Sequence, residues 1–312
     1  MTTISASMVK ELRDKTGAGM MDCKQALIEN NGDIEASVDW LRKKGLSKAA
    51  KKSGRVAAEG LIGAMVEGGV GTLVEVNSET DFVARNSQFQ DMVREITKLS
   101  LKADGDFAKL LALPFPGTSN SVEEHVKEMV ATIGENMSVR RTDGLRASGD
   151  GVIIDYVHNR AGDGLGKMGV LVSLESTGDK AKLAEFGRQV AMHIAAAAPL
   201  AVTVEELDKS VIERERAIYL EQAAASGKPQ EIVEKMVEGR LRKEYFQQVV
   251  LLQQVFVLDG KSTVEQAVKD AAASVGAPVK IVAFKRYALG EGIEKKEEDF
   301  AAEVAAAVGG TR

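Results

Sequence analysis

Two segments of this chain resemble each other, and this internal similarity constrains the fold more than any other feature. Residues 60–62 (Gly-Leu-Ile) align with residues 151–153 (Gly-Val-Ile), and residues 72–74 (Thr-Leu-Val) align with residues 170–172 (Val-Leu-Val). In each copy two β-rich runs are followed by a helical pattern. A duplicated hairpin-plus-helix unit predicts an α+β core of two similar subdomains, each built on an antiparallel sheet.

Local patterns place the elements of both copies. In the first copy, Gly68-Gly69 separates the two strand runs, as in a β-hairpin. Ser87 and Gln90 have the spacing of a capping box and predict the start of the next helix. Strands are predicted at 61–67, 72–76, 139–145, 152–158, 170–174, 255–258 and 279–287, and a later helix at 122–133. Residues 103–121 form the least ordered-looking part of the first copy, and no function is assigned to them.

The first 55 residues predict a small helical domain followed by a basic linker. Three short helices are predicted from residues that cap or end helices. Ser5 or Ser7 and Asp33 can cap helix starts, and Gly17 and Asn31-Gly32 can end helices. Seven basic residues and two glycines then lie between Arg42 and Arg55. Because no aromatic residues alternate with these charges, we interpret the segment as a solvated linker rather than a nucleic-acid-binding patch.

A long insertion lies between the strands of the second copy. Apolar residues recur at helical spacing on both sides of Ser226-Gly227-Lys228-Pro229: Val204, Leu207, Val211, Ile218, Ile232, Met236 and Leu241. Gly227 can end one helix, and Pro229 suits the first turn of the next. Residues 204–250 therefore predict a protruding helical hairpin of the coiled-coil type, which is more often a contact device than a catalytic one.

Composition excludes several classes of protein. Aromatic residues are only 4% of the chain and the net charge is -5, which argues against a base-stacking surface or a phosphate-backbone binder. The single cysteine, Cys23, excludes an internal disulfide and any cysteine-rich zinc site. The start of the chain lacks the apolar core of a signal peptide, and no stretch approaches eighteen apolar residues. We expect a soluble, cytoplasmic protein without a membrane segment.

The sequence offers little for catalysis or metal binding. His125, His158 and His193 fall in separate elements, and His193 is expected to be a core or interface residue while His125 is expected on a surface helix face. The glycine-rich run 162–169 resembles a phosphate loop, but Ala161 and Met168 occupy its diagnostic positions and it joins two strands. We predict no metal, no cofactor and no enzymatic activity.

One short run is not explained by folding alone. Residues 77–86 leave a buried-looking strand and enter a helical region, where Asp81 stands beside the large aromatic Phe82. The structural interpretation is a helix start capped by Thr80 or Asp81, with Phe82 in the core. The functional interpretation is a site that contacts a partner.

Several motifs, spread in order over nearly the whole chain, resemble the bacterial elongation factor Ts family, the nucleotide exchange factors of elongation factor Tu. They are the runs 9–13, 16–24 (Thr-Gly-Ala-Gly-Met-Met-Asp-Cys-Lys), 31–33, 80–83 (Thr-Asp-Phe-Val), 134–136 (Gly-Glu-Asn), 192–195 and 290–294. Of these, 16–24 and 80–83 are the most specific. The resemblance implies a ubiquitin-associated-like domain at residues 1–55, a core in two parts at 56–147 and 148–289, a hairpin arm within the second part, and a short C-terminal helical module at 290–312.

The resemblance also implies a function in translation elongation that involves no covalent step. Asp81 and Phe82, within Thr80–Val83, would insert into the G domain of elongation factor Tu and disturb the Mg²⁺ site beside the bound nucleotide. The implied partner is elongation factor Tu in its GDP-bound and nucleotide-free forms. No direct nucleotide, nucleic acid or membrane partner is implied, and a dimeric assembly of the complex stays open.

Further contacts are implied by the same resemblance. Arg13, Met20, Met21 and Lys24 would belong to the contact between the helical domain and the G domain. Adjacent methionines cannot both face inward on one helix, which agrees with an exposed role for at least one of them. His158 would contact a second domain of the partner, although residues 159–166 predict a longer hairpin loop than the family's compact glycine turn.

Two other functions remain as alternatives at this stage. An RNA- or ribosome-binding protein would use the basic segment Arg42–Arg55. A nucleotide-hydrolysing enzyme would use the loop 162–169 and would bind nucleotide without a partner.

Overall fold

The computed structural model of the chain describes residues 4–224 and 229–294. Helices and an antiparallel sheet are combined, which confirms the predicted α+β class. The strands are β1 (Glu59–Glu67), β2 (Val70–Ser78), β3 (Met137–Arg146), β4 (Gly151–Gly162), β5 (Leu165–Glu175) and β6 (Lys280–Ala288). The α-helices of the described chain are α1 (Ala6–Thr16), α2 (Met20–Glu29), α3 (Ile34–Lys52), α4 (Asp81–Ala84), α5 (Ser87–Ala103), α6 (Phe107–Ala112), α7 (Val122–Ile133), α8 (Lys180–Ala197), α9 (Lys209–Ala224), α10 (Gln230–Arg240), α11 (Phe246–Val249) and α12 (Val264–Val275).

The strands form two antiparallel sets that are joined at one edge. β1, β2 and β3 make the first set, and β4, β5 and β6 make the second. The sets meet where Ile62 pairs with Gly166 and Gly63 pairs with Leu165, so the two expected sheets are continuous. Gly63 has no room for a side chain, because a Cβ there would lie 2.0 Å from Oγ1 of Thr97. The glycine therefore permits a close approach of α5 to β1 at the position where the two strand sets meet.

The two strand sets also pack face to face. Ile62 and Leu73 of the first set share one buried cluster with Ile153 and Leu171 of the second. On the outer face of the first set, α5 and α7 cover a core that includes Phe89. On the outer face of the second set, α8 and α12 cover a separate core. Strands buried on both faces explain the nearly continuous apolar runs of the sequence.

A buried carboxylate ties β2 and β3 to the end of β6. Glu75 is fully buried and accepts hydrogen bonds from Arg140 (3.0 Å), Arg141 (2.5 Å) and the backbone N–H of Gly290 (2.8 Å). The guanidinium of Arg141 also lies 4.1 Å from the ring centre of Tyr287 on β6. Burial alone would raise the pKa of Glu75, but the hydrogen bonds from Gly290 and Arg141 lower it overall. The carboxylate is therefore charged and paired in the folded protein.

The predicted basic linker is largely helical, which corrects the interpretation of residues 42–55 as a linker, although Arg42, Lys43, Lys51 and Arg55 are exposed as expected. Helix α3 runs to Lys52 because Gly45 does not interrupt it: a Cβ at Gly45 would lie 3.0 Å from Cβ of Ala131, so the glycine allows α3 to pack closely on α7. Arg42 donates to Oδ1 of Asn120 (2.9 Å), and Lys52 donates to the carbonyl oxygen of Gly134. Tertiary contacts thus override a composition that is typical of linkers.

The inserted segment forms a helical hairpin, with a tip, residues 225–228, that lies outside the described residues. Helices α9 and α10 pack through Tyr219, Ala223, Val233 and Val237. Ile218 and Ile232, which periodicity placed on the buried face, are instead exposed. At these two positions the next residue, Tyr219 or Val233, faces inward instead, whereas Leu207 and Leu241 are buried as predicted.

Two other local predictions are wrong. Residues 255–258 form an irregular segment in which Val255 makes an isolated bridge to Thr263, so β6 alone completes the second strand set. Within residues 103–121, Asp106 caps helix α6 and Pro114 bridges Ser121, so this segment is ordered by local hydrogen bonds. Most of the expected C-terminal module, residues 295–312, lies outside the described residues. Within the described ranges, no helix is long and apolar enough to span a membrane.

His193 and His125 are both more buried than a surface histidine. His193 is fully buried: its Nε2 lies 2.8 Å from Oε1 of Gln254, and its Nδ1 accepts from the backbone N–H of Val257 (3.2 Å). The prediction of a core histidine is confirmed. His125 is stacked on Phe115 with ring centres 3.7 Å apart, which corrects its placement on a surface face.

We predict that Glu75→Gln destabilises the fold by about 2–4 kcal/mol, because it leaves two arginines facing a neutral amide in a buried site. Urea unfolding followed by circular dichroism measures the change. Glu291→Gln is the matched control, since Glu291 pairs with Arg141 and Arg286 but is half exposed, and it should cost less than about 1 kcal/mol. Equal effects of the two variants would contradict the central role of Glu75.

We also predict that acidification destabilises the protein through His193. Burial lowers the pKa of His193 from its ordinary value of 6.5, despite the opposing hydrogen bond with Gln254. The stabilisation is therefore complete above pH 6.5 and decreases as the pH falls below it, by at most about 1.4 kcal/mol per pH unit. Urea unfolding between pH 7.5 and 5.5 should show a smaller slope for His193→Gln. The remaining slope includes His125, whose pKa is also lowered by burial; an unchanged slope would refute the assignment.

Candidate functional site

A short turn after β2 presents a large aromatic side chain to solvent. Phe82 is 76% exposed on the four-residue helix α4. Val83 and Ala84 follow immediately and are buried in the first core. The structural interpretation of Phe82 as a core residue is therefore wrong. Single exposed apolar residues are common on protein surfaces, so Phe82 is a candidate contact residue because it stands beside an acidic group on a turn held by buried neighbours.

The backbone just before Phe82 is tied to the end of α7. The Glu135 carboxylate accepts hydrogen bonds from the backbone N–H of Thr80 (3.0 Å) and from its hydroxyl (2.6 Å). Ser78 donates to the carbonyl oxygen of Thr80 (3.0 Å). Thr80 is thus held through its amide, its hydroxyl and its carbonyl. We call residues 79–82 the Asp81–Phe82 turn.

Asp81 lies on the exposed side of the same turn. Its carboxylate pairs with Arg85 one helical turn later, with 2.9 Å between Oδ2 and the guanidinium nitrogen. The Asp81 side chain is 41% exposed and that of Arg85 is 75% exposed. An exposed pair of this kind contributes little to stability, so a partner can replace Arg85 at small cost. The turn therefore presents one acidic and one aromatic group side by side.

The helix after the turn begins differently from the prediction. Asn86, not Ser87, caps α5 by accepting from the backbone N–H groups of Gln88 (2.8 Å) and Phe89 (3.3 Å). Gln90 does not complete a capping box; its side-chain amide donates to the carbonyl oxygens of Ala84 (3.0 Å) and Ala161 (3.4 Å). Gln90 thus connects the end of α4 to the tip of the β4–β5 hairpin.

His158 lies on β4, close to that hairpin tip. Its Nδ1 is 3.0 Å from the hydroxyl of Tyr156, and its backbone is opposite Met168 of β5. The strands continue past His158 to Gly162 and resume at Leu165, with a register shift at Ala161. The expected long loop 159–166 is therefore wrong: most of it is strand, and the turn is short. His158 is three residues, or about 10 Å, from Ala161.

The four predicted contact residues of the N-terminal helices are all exposed. Met20 and Met21, 56% and 77% exposed, start α2, where Cys23 and Leu27 face the core of the three helices instead. Arg13 on α1 and Lys24 on α2 are also exposed. The structure thus places these residues on the surface of the helical head, which we define as α1, α2 and the first half of α3.

The head and the Asp81–Phe82 turn are not adjacent along the chain but are linked by α3. The N-terminal half of α3 packs on α1 and α2 through Val38 and Leu41, whereas Lys52 at its end contacts Gly134 beside Glu135. The structure therefore connects the turn with the hairpin tip near His158 and links both to the head through one helix. Sequence reasoning missed Glu135 as part of this site, although the motif 134–136 was visible.

The described residues offer little support for a catalytic or metal-binding site. Residues 4–224 and 229–294 contain no group of metal-ligating side chains. The glycine-rich run 162–169 joins β4 to β5, so it lacks the following helix that a phosphate loop requires. Burial raises the pKa of the Cys23 thiol, which disfavours the reactive thiolate.

Comparisons with known proteins assign the chain to a class of translation factor. The family profile described as "Elongation factor TS" matches residues 79–291. Elongation factor Ts of Parvibaculum lavamentivorans is 62% identical over 310 residues, 99% of this chain and 100% of that protein. The proteins of the same name from Rhizobium etli (59% over 310 residues) and Bartonella henselae (59% over 308 residues) also align over 99% of this chain and their full lengths. The chain therefore belongs to the elongation factor Ts family.

We predict that Phe82→Ala changes the free energy of unfolding by less than about 0.5 kcal/mol, because the ring is mostly in water. Phe89→Ala, the matched control seven residues later, should cost about 3–5 kcal/mol because Phe89 is fully buried. Urea unfolding of both variants measures the difference. A large cost for Phe82→Ala would mean that the ring serves this protein's own fold.

Proposed function

We propose that this protein is a guanine-nucleotide exchange factor that promotes GDP release from elongation factor Tu during translation elongation. Membership of the elongation factor Ts family supports the partner and the process. The observation that carries the proposal is Phe82, a solvent-exposed aromatic on a turn whose backbone is held by Glu135. No covalent step is required, so the protein acts as a binding partner and not as an enzyme.

The proposed mechanism is displacement of charge around the bound nucleotide. Asp81 and Phe82 enter the G domain of the partner and disturb its Mg²⁺ site. Mg²⁺ bridges the phosphates of a bound nucleotide and neutralises their charge. Dislodging the ion weakens retention of the phosphates, and the nucleotide leaves more rapidly.

The energetic requirement is modest. A ligand with nanomolar affinity is bound by about 12 kcal/mol, and the factor has to cancel only part of this to accelerate release. The coupling is reciprocal: whatever the factor subtracts from nucleotide affinity, the nucleotide subtracts from factor affinity. Binding of abundant GTP therefore expels the factor and completes the exchange.

The other exposed residues extend the proposed interface. Arg13, Met20, Met21 and Lys24 contact the G domain from the helical head, which we propose to be a ubiquitin-associated-like domain. His158 contacts a second domain of the partner, and its position near the hairpin tip supports one continuous interface with the Asp81–Phe82 turn. The domain boundaries at 55, 147 and 289 and the coiled-coil character of the arm are part of the same proposal, and a dimeric assembly of the complex stays open.

The RNA-binding alternative is less well supported by the structure. Several basic residues of the 42–55 segment are engaged within the protein: Lys44 lies over the ring of Trp40, Arg42 contacts Asn120, and Arg55 pairs with Glu79. Side chains held in this way are less available for phosphate groups. We therefore do not assign nucleic acid as a partner.

Replacement of both Asp81 and Phe82 by alanine should slow stimulated GDP release at least about tenfold, because the groups that disturb the Mg²⁺ site are removed. Release of a fluorescent GDP analogue from elongation factor Tu, followed by stopped flow, measures the rate. Phe107→Ala is the matched control: Phe107 is a partly exposed phenylalanine on α6, away from the turn, and the variant should exchange at the wild-type rate.

Circular dichroism should show that the double variant is folded. Wild-type rates for a folded Asp81→Ala/Phe82→Ala variant would eliminate the proposed role of the turn. Equal slowing of GDP release by Phe107→Ala would show that the effect is not specific to the Asp81–Phe82 turn.

A further inference from the structure

We propose that Glu135 is a positioning residue for nucleotide exchange: it fixes the orientation in which the Asp81–Phe82 turn is presented to the partner. This inference rests on the proposed function. It gives a role to the motif 134–136 (Gly-Glu-Asn), which lies more than fifty residues from the turn in the sequence.

The contacts converge on the residue immediately before Asp81. Both carboxylate oxygens of Glu135 are used, one by the backbone N–H of Thr80 and the other by the Thr80 hydroxyl. Hydrogen bonds to an ionised carboxylate are about twice as strong as those between neutral groups. Glu135 therefore fixes the chain direction at the start of α4.

Helix α4 depends on this external support. Thr80 occupies the N-cap position, where a threonine hydroxyl ordinarily accepts a hydrogen bond from the first turn of its own helix. Here the hydroxyl donates to Glu135 instead. A helix of four residues is too short to be stable alone, so its direction is set by what holds its ends.

A second set of hydrogen bonds reinforces the first. The backbone N–H of Asn136 donates to Oε1 of Glu79 (2.5 Å), and the side chain of Asn136 donates to the carbonyl oxygen of Arg55 (2.7 Å). Arg55 in turn pairs with Glu79 at 3.4 Å. The end of α7, the chain after α3 and the Asp81–Phe82 turn are thus linked in one network.

Burial explains the positions of Val83 and Ala84, but it does not explain why Phe82 between Asp81 and Val83 is exposed. An unsupported turn of this length would sample several orientations, and only a fraction would be competent for insertion. Glu135 restricts the turn before the partner arrives. The expected consequence of losing it is a slower exchange step rather than a loss of the other contacts.

The test is the rate of stimulated GDP release by the full-length Glu135→Ala variant, measured over a range of factor concentrations with elongation factor Tu loaded with a fluorescent GDP analogue. The maximal rate should fall about tenfold, with the half-saturating concentration changed less than about twofold. Glu128→Ala is the matched control: it removes a carboxylate from α7, the helix that ends just before Glu135, where Glu128 accepts from Asn120, and should leave both parameters unchanged.

Two further variants show whether Glu135 acts through Thr80. Glu135→Gln should recover most of the rate, because its amide can accept from the Thr80 N–H and donate to the Thr80 hydroxyl. Thr80→Val removes only the hydroxyl and should lower the maximal rate by a smaller factor. It also serves as the test if Glu135→Ala does not fold.

A double-mutant cycle with Phe82→Ala identifies the residue through which Glu135 acts. If Glu135 works by presenting Phe82, then Glu135→Ala should slow a Phe82→Ala protein by less than about twofold. Full additivity of the two effects, or a wild-type maximal rate for folded Glu135→Ala, would overturn the inference. Wild-type exchange by Asp81→Ala/Phe82→Ala would instead refute the proposed function on which it depends.

Discussion

The architecture depends on one buried carboxylate. Glu75 lies where the two strand sets face each other, and it binds Arg140 and Arg141 of β3 together with the backbone of Gly290 just after β6. Apolar packing alone would allow the two halves to slide over each other, because the hydrophobic effect is not directional. Hydrogen bonds with fixed partners define one arrangement. Since β2 leads directly from Glu75 to the Asp81–Phe82 turn, the same contacts fix where that turn leaves the core.

Burial of the strands on both faces determines where a partner can be contacted. The middle of each strand set is covered by helices on one side and by the other set on the second side. Side chains remain available mainly where strands end: Phe82 after β2, and His158 near the tip of the β4–β5 hairpin. Gln90 connects these two places by contacting Ala84 and Ala161. The antiparallel junction between β1 and β5 therefore places the open end of the β1–β2 hairpin, which leads to Phe82, beside the tip of the β4–β5 hairpin.

Periodicity and turn chemistry predicted the parts of the fold that local sequence controls. The strand pairs and helix α7 occur where the β-rich runs, the Gly68-Gly69 pair and the helical pattern of 122–133 placed them. The exposed side of the site could also be predicted from the sequence, because an aromatic residue beside an acidic one within residues 77–86 had no evident role in folding. Contacts between segments that are distant in the sequence could not be predicted. The continuation of α3 depends on Gly45 fitting against Ala131, and the hold on Thr80 depends on Glu135; neither pairing leaves a periodic signal. Residues 255–258 were mistaken for a strand because all four are apolar, but only Phe256 is buried, with its ring centre 5.6 Å from that of His193, and the other three are exposed.

The uninterrupted α3 has a consequence for selectivity. Its nineteen residues extend over about 28 Å, with the head packed on one end and the network around Glu135 attached to the other. A flexible linker of the same composition would let the two regions bind independently, at any separation within its reach. A continuous helix instead holds the head and the network around Glu135 at a fixed distance from each other. For a partner that is contacted at both ends, matching surface chemistry is not sufficient; the two surfaces must also be the correct distance apart, so that the first contact brings the second to a high effective concentration.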